Sequence, residues 1–136
     1  MVTKNLLLDL ANFYIIYASD VVTADGVDIF RDNMPDDPNN CVGLFEFEGV
    51  PSDVSDVTNR SVQVMVRNTD YETARIYTWE LFNLIFKPED DVRIVDLTSS
   101  RWGIISARTN PRFLKRDESG RSVFLFILSI VTYRDE

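Results

Sequence analysis

The stretch Ser122-Val123-Phe124-Leu125-Phe126-Ile127-Leu128-Ser129-Ile130-Val131-Thr132-Tyr133 decides the fold. In an extended chain, alternate side chains point to opposite faces. Val123, Leu125, Ile127, Val131 and Tyr133 then fall on one side, and Phe124, Phe126, Leu128 and Ile130 on the other. Both faces are apolar, and a strand of that kind is normally central and covered on both sides. Immediately before it, Asp117-Glu118-Ser119-Gly120 has the Asp-x-x-Gly spacing of a hairpin loop with Gly at a left-handed position. Residues 112–115 lead into that loop as a strand. Further upstream, strands over 92–97 and 101–108 flank a turn at Thr98-Ser99-Ser100.

Working back, residues 61–68 give the cleanest alternation in the chain. Val62, Val64 and Val66 share one face, and Ser61, Gln63, Met65 and Arg67 the other. A helix follows at once. Thr69 and Glu72 stand at capping-box spacing, acidic residues suit the positive end of the helix dipole, and Pro88 predicts a stop after Lys87. Tyr71, Ala74, Thr78, Leu81 and Ile85 form its apolar face, so it is expected to pack on a sheet.

The first element reads as a helix over 4–18, with Thr3 as N-cap and Val2 and Leu7 as a hydrophobic staple. Its apolar residues cover more of the circumference than packing on one side requires, so a second covering partner is expected. Asp25-Gly26 marks a turn before a short strand over 27–31. The run Asp32-Asn33-Met34-Pro35-Asp36-Asp37-Pro38-Asn39-Asn40 is a loop, because Pro fixes φ while Asn and Asp bond their own backbone. Residues 42–48 alternate as a strand, and 49–59 read as a flexible connection. The order α-β-β-β-α-β-β-β-β predicts one α+β domain over 1–136: a mainly antiparallel β-sheet with two helices packed on one face.

The chain has 136 residues, 14 Lys and Arg against 22 Asp and Glu, no His and a single Cys. Zinc sites, Ser-His-Asp catalysis and Cys-His catalysis are thereby excluded or left without their usual groups. Cys41 alone closes no internal disulfide, and no secretory leader is visible, so the expected setting is intracellular and reducing. A net charge of −8 opposes a surface built to grip nucleic-acid phosphate. The most apolar stretch, 6–16, is too short to span a bilayer, so no membrane contact is expected. No cofactor is expected either: there is no Gly-rich phosphate loop and no nucleophile beside an obvious base. The acidic pairs Asp36-Asp37 and Asp90-Asp91 have the donor chemistry for a hard cation, but flanking prolines explain them as solvated turns.

The basic residues Arg108, Arg112, Lys115, Arg116 and Arg121, with Phe113 among them, concentrate around the last hairpin. Internal pairing or contact with an acidic protein is the favoured reading over nucleic acid. Arg67, at a strand end, is expected to pair with a carboxylate. Trp79 and Trp102 are expected as core or interface anchors.

Three segments taken in order go beyond composition. They are the 32–42 turn string followed by an aromatic strand, Val62-Gln63-Val64-Met65-Val66-Arg67 leading into Asp70-Tyr71-x-x-Ala74, and Pro111-x-x-Leu114-x-Arg116-Asp117-x-x-Gly120-Arg121 before the last strand. Together they resemble the minor capsid or tail terminator proteins of long-tailed bacteriophages, from about residue 5 to 134. The resemblance implies a structural virion protein that caps the tail tube, stops its polymerisation and joins tail to head, usually as a six-membered ring. It is assembled in the host cytoplasm. The partners implied are copies of itself, the tail tube protein and the head-tail connector proteins, with DNA passing through unbound. By the same resemblance Asp32, Asn33, Pro35, Pro38, Arg67, Arg112, Phe113, Arg116, Asp117 and Arg121 are the interface candidates. Other readings are a head-completion or stopper protein, a small soluble enzyme or ligand module, and an acidic mimic of DNA.

Overall fold

The computed structural model describes residues 6–47, 57–86, 92–97 and 100–133, with side chains over 6–47, 60–86 and 109–130. Two helices, α1 (Leu6–Tyr17) and α2 (Tyr71–Ile85), accompany six strands: β1 (Ile29–Arg31), β2 (Cys41–Phe47), β3 (Val57–Asn68), β4 (Val92–Leu97), β5 (Ser100–Arg116) and β6 (Ser122–Tyr133). The strands form one sheet in the order β1-β2-β3-β6-β5-β4. All neighbours are antiparallel except β1 and β2. The expected α+β class with a mainly antiparallel sheet is thus observed, and β6 is central.

The pairing register explains the apolar alternation. Val42 stands opposite Val66, Leu44 opposite Val64, and Val64 in turn opposite Phe126, so one face carries valine, leucine and phenylalanine in adjoining rows. Both helices bury their apolar sides against that face. Leu6, Leu10, Ala11 and Tyr14 of α1 and Leu81 and Ile85 of α2 are fully buried with Val62, Val64, Phe126, Leu128 and Ile130 in one core. At about 25 cal/mol per Å² of apolar area removed from water, this layer is the main driving force of folding. α1 is covered over most of its circumference by the same chain. Phe13 and Ile15 pack against the core, and only Ile16 and Tyr17 at its end stand exposed.

The opposite face is built differently. Gly43 leaves room for the ring of Phe45, since a Cβ there would lie 2.8 Å from that ring and 3.4 Å from Cβ of Met34. An aromatic ring laid over a strand glycine restores the contact that the missing side chain gives up. Val123 and Leu125 on this face of β6 are buried.

Several boundaries differ from the sequence expectation, each for a tertiary reason. β3 begins at Val57, inside the segment read as a connection, because every residue from Val57 onward has a partner on β6, starting with Tyr133. The two strands expected over 101–108 and 112–115 are one strand, β5, so the sheet has six strands and not seven. Register shifts between Ala107 and Thr109, Thr109 and Arg112, and Phe113 and Lys115 carry it past Pro111. Proline is tolerated at such bulges because no ladder donor is needed there. At one of them Thr109 Oγ1 accepts a 2.9 Å bond from the Ile127 amide.

The first short strand keeps only residues 29–31 and runs parallel to β2. α2 is capped by Asp70, one residue later than expected. Asp70 is extended, and its carboxylate accepts from the Thr73 amide at 3.0 Å and from the Thr73 hydroxyl at 2.7 Å. Glu72 is then free to hold Arg75, the next turn's cation, at 3.0 Å. The helix ends at Ile85, before the expected stop, as Phe86 turns extended and its ring packs 4.9 Å from that of Phe82. The Thr3 cap, Val2, Lys87, Pro88 and the Asp90-Asp91 pair lie outside the described residues.

Thr73 holds the Asp70 carboxyl below the usual carboxylate range. A depressed carboxyl contributes stability above its ordinary pKa and loses it as pH falls through the folded value. Asp70→Ala is therefore expected to free the Thr73 amide at neutral pH, read as faster hydrogen exchange at that amide, with the difference from wild type vanishing in acid.

Candidate assembly interface

The two loops singled out from sequence, 32–40 and 117–121, meet at one end of the sheet. Arg67 at the end of β3 and Arg121 at the start of β6 are neighbours through the Arg67 to Val123 register, and both are buried. Their guanidinium groups point into the 32–40 loop. Arg67 Nη2 donates to the carbonyls of Pro35 at 2.6 Å, Pro38 at 2.7 Å and Asp36 at 3.3 Å, and Nε donates to Asn39 O at 3.1 Å. Arg121 Nη1 donates to Asp36 O at 2.6 Å, and its Nη2 and Nε reach the carboxylates of Asp36 at 2.9 Å and Asp117 at 2.8 Å. A planar fork of five N–H donors suits this work in a way that an ammonium does not.

Arg67 therefore binds main-chain oxygens where a carboxylate was expected. A loop with two prolines cannot form a regular ladder, so its carbonyls need outside donors. The peptide bond between Asp37 and Pro38 is cis, and Asp32 takes a left-handed φ of 62°. The Asn40 side chain adds a 2.9 Å bond from the Thr69 amide, which ties the loop to the entry of α2.

The last hairpin follows its sequence reading. Gly120 has φ of 80°, its amide donates to Asp117 O at 2.9 Å, and the Asp117 amide donates to Arg121 O at 2.8 Å. The Asp117 carboxylate accepts from the amides of Ser119 and Arg121 as well. The Arg121 backbone bond, ahead of the guanidinium itself, holds its carboxyl below the usual range.

The sequence-predicted residues divide into two sets. Arg67, Arg121 and Asp117 act inside the molecule and hold the loop against the hairpin. Asp32, Asn33, Pro38, Arg112, Phe113 and Arg116 are exposed, and Pro35 is half-buried. Phe113 joins a cluster with Tyr71 and Phe124, its ring 5.4 Å from each. Trp79 stands on the outer side of α2 with its ring edge-on to Phe82 and is 36% exposed. Trp102 falls among residues whose side chains are not described.

Cys41, buried beside this cluster, carries a thiol that burial pushes up, against the pull of Arg67 and Arg121. Burial and a raised thiol are the surroundings of a packed cysteine. Asp36 of the first acidic pair spends a carboxylate oxygen and its carbonyl on Arg121. Among the described residues no group of three or more metal-ligating side chains comes together, and no helix is long and apolar enough to cross a membrane.

One electrostatic feature was not legible in the sequence. Glu80 on α2 meets Asp20, in the turn after α1, and its carboxyl is pushed up to about 7 from the ordinary 4.5. Burial is the largest cause, followed by the hydrogen bond and the charge of Asp20. The folded protein thus takes up a proton that the unfolded chain lacks between about pH 4.5 and 7. By linkage this contribution is fully present below 4.5 and is lost as pH rises through 7. Glu80→Gln is expected to raise the unfolding midpoint at pH 8 and to leave it unchanged at pH 4. The ceiling is about 3 kcal/mol at 1.36 kcal/mol per pH unit, and solvent screening at this partly exposed site lowers it to about 1 kcal/mol. Thermal melts at the two pH values check the sign.

What the arrangement offers is a rigid rim of two stapled loops and exposed apolar and charged side chains, without a nucleophile-base pair or metal cluster among the described residues. A family model for the bacteriophage tail terminator protein matches residues 18–134, which include every strand and α2, and the chain belongs to that family. Its role is that of a structural component of the phage virion. No curated protein matches the chain.

Proposed function

We propose that this protein assembles as a ring, six-membered by the family resemblance, that caps the tail tube, ends its elongation and joins tail to head. The observation that carries the ring is the placement of its exposed apolar side chains. Ile16, Tyr17, Ile76 and Trp79 stand on the outer parts of the two helices, whereas Phe113 and Leu114 stand on β5, each more than a third exposed. Two different patches on one subunit suit head-to-tail contacts, which close into a ring when the rotation allows. Asp32, Asn33, Pro35, Pro38, Arg112, Phe113 and Arg116 face neighbours in the assembly, whether copies, the tail tube protein or the connector. Arg67, Asp117 and Arg121 hold the contacting loops in shape.

The acidic balance fits a conduit through which DNA passes without sticking. Assembly takes place in the host cytoplasm, with no membrane and no cofactor involved.

Electron microscopy and solution mass measurement of the purified protein, alone and with tail tubes, test the reading. Rings, or density capping tube ends together with arrested elongation, are the expected result. A stable monomer that never touches tubes overturns it.

A further inference from the structure

Among the described side chains five of the eight cations are consumed within the chain. Arg31 pairs with Asp25, Arg60 with Glu46, Arg75 with Glu72 and Arg121 with Asp36 and Asp117, while Arg67 is spent on carbonyls. Arg112, Lys115 and Arg116 are the exceptions: all three are exposed, and none has a carboxylate partner among the described residues. They lie along β5 with Phe113 and Leu114, which are 41% and 38% exposed; Arg112 and Lys115 stand opposite Leu125 and Val123 of the face away from the helices, and Phe113 opposite Phe124 of the helix-bearing face, so together they wrap the strand.

Among the described residues this part of β5 is also a sheet edge. β4 pairs with β5 only as far as Ser106, opposite Val92, and beyond that no described strand lies on the outer side. Three register shifts and Pro111 break up the row of edge donors. Such an edge resists the addition of another strand, so a partner must meet it through side chains. Arginine and aromatic residues with open apolar neighbours have the composition of a protein interface.

The complementary surface lies elsewhere on the same molecule. Asp20 and Glu80 bring two carboxyl groups into contact, and among the described residues no cation pairs with either. Exposed Ile76 stands one turn before Glu80, and exposed Ile16 and Tyr17 end the helix that precedes Asp20. Tyr71, whose ring contacts Phe113, marks where β5 meets α2, and Glu80 lies about 13 Å further along that helix at about 1.5 Å per residue.

We infer that the Arg112 to Arg116 edge of β5 docks onto the Asp20 and Glu80 patch of a second copy of this chain. The inference rests on the ring reading and names the two surfaces that meet in it. Arriving cations relieve the carboxyl pair, and Phe113 and Leu114 cover the apolar end of α1 and Ile76. Charge complementarity of this kind sets register and orientation.

The test uses ordinary and ¹⁵N-labelled protein mixed in equal amounts at the ends of tail tubes and joined with a zero-length carbodiimide reagent. Mass spectrometry is expected to find Lys115 linked to Asp20 or Glu80, with one peptide light and the other heavy. R112E/R116E and, separately, D20K/E80Q are each expected to weaken self-association roughly 10–100-fold while melting as folded proteins. An equimolar mixture of the two variants is expected to regain assembly, because each supplies the surface that the other has reversed. Rings or caps in which Lys115 links to other carboxylates, or to none, overturn the inference and leave the ring reading standing. Absence of both rings and links overturns both. Retention of duplex DNA by the wild type but not by R112E/R116E, without the cross-link, makes this edge a phosphate site and overturns the inference as well.

Discussion

Phe126→Ala is expected to lower the unfolding free energy by about 4 kcal/mol, with a fall in melting temperature of more than about 10 °C. Phe126 is fully buried at the centre of β6, opposite Val64 in the register and edge-on to the Phe82 ring of α2 at 5.4 Å. Its ring touches the layer in which both helices meet the sheet, so removing it opens a cavity that neither helix can close without moving the other. The loss combines the transfer free energy of the ring with the contacts forfeited around the void. Against a total stability of roughly 5–15 kcal/mol for a domain, that is a large share. Phe126→Leu keeps most of the volume and is expected to cost only about 1 kcal/mol. Denaturant titration of the two variants against wild type checks the ratio. Equal effects would mean that the ring is not what joins the layers.

Arg67→Ala is expected to cost about 3 kcal/mol and, unlike the core variant, to show where the loss falls. Four hydrogen bonds to the carbonyls of Pro35, Asp36, Pro38 and Asn39 disappear together, and hydrogen bonds to a charged donor are worth more than neutral ones. Part of the loss is recovered, because the 32–40 loop is exposed enough for water to reach the freed oxygens. Arg67→Lys keeps the charge but not the fork, and is expected to recover less than half of the loss. Arg121→Ala acts on the same loop through Asp36, so the double variant is expected to lose less than the sum of the two singles. Amide exchange over residues 36–41 is expected to rise sharply in either single variant while β6 stays protected. Exchange that rises evenly across the sheet would contradict a clamp that acts on one loop.

The sheet was largely readable from residue order. Val62, Val64 and Val66 against Phe124, Phe126 and Leu128 announce two apolar rows that match when the strands pair, and local alternation carries that information. Asp117 and Gly120 likewise specify their turn through local chemistry. The start of β3 and the unity of β5 were not readable, because they depend on what the partner strand offers. Val57 is a strand residue only because Tyr133 stands opposite it, and Pro111 sits within a strand only because bulges absorb it. The parallel pairing of β1 with β2 is equally non-local, since nothing in the turn chemistry of the 32–40 loop specifies the direction in which the next strand returns.

Among the site residues, charge was easier to read than partner. The basic cluster at 112–121 was visible as composition, but Arg121 lies inside it as a buried clamp, whereas Arg112, Lys115 and Arg116 remain open to solvent. Sequence does not distinguish these fates, because Arg121 is buried by joining its local partner Asp117 to Asp36, 85 residues away. The carboxyl pair of Asp20 and Glu80 was hidden for the same reason. Its two members lie sixty residues apart, one in the turn after α1 and one on α2, and meet only through the tertiary fold.

Because Arg67 holds the 32–40 loop through carbonyl oxygens, its grip does not depend on a pair of opposite surface charges. Concentrated electrolyte weakens exposed ion pairs such as Arg75 with Glu72, but has little hold on a buried cation surrounded by peptide dipoles. Strong brine thus weakens such surface pairs long before it changes the shape of the rim that the two loops form.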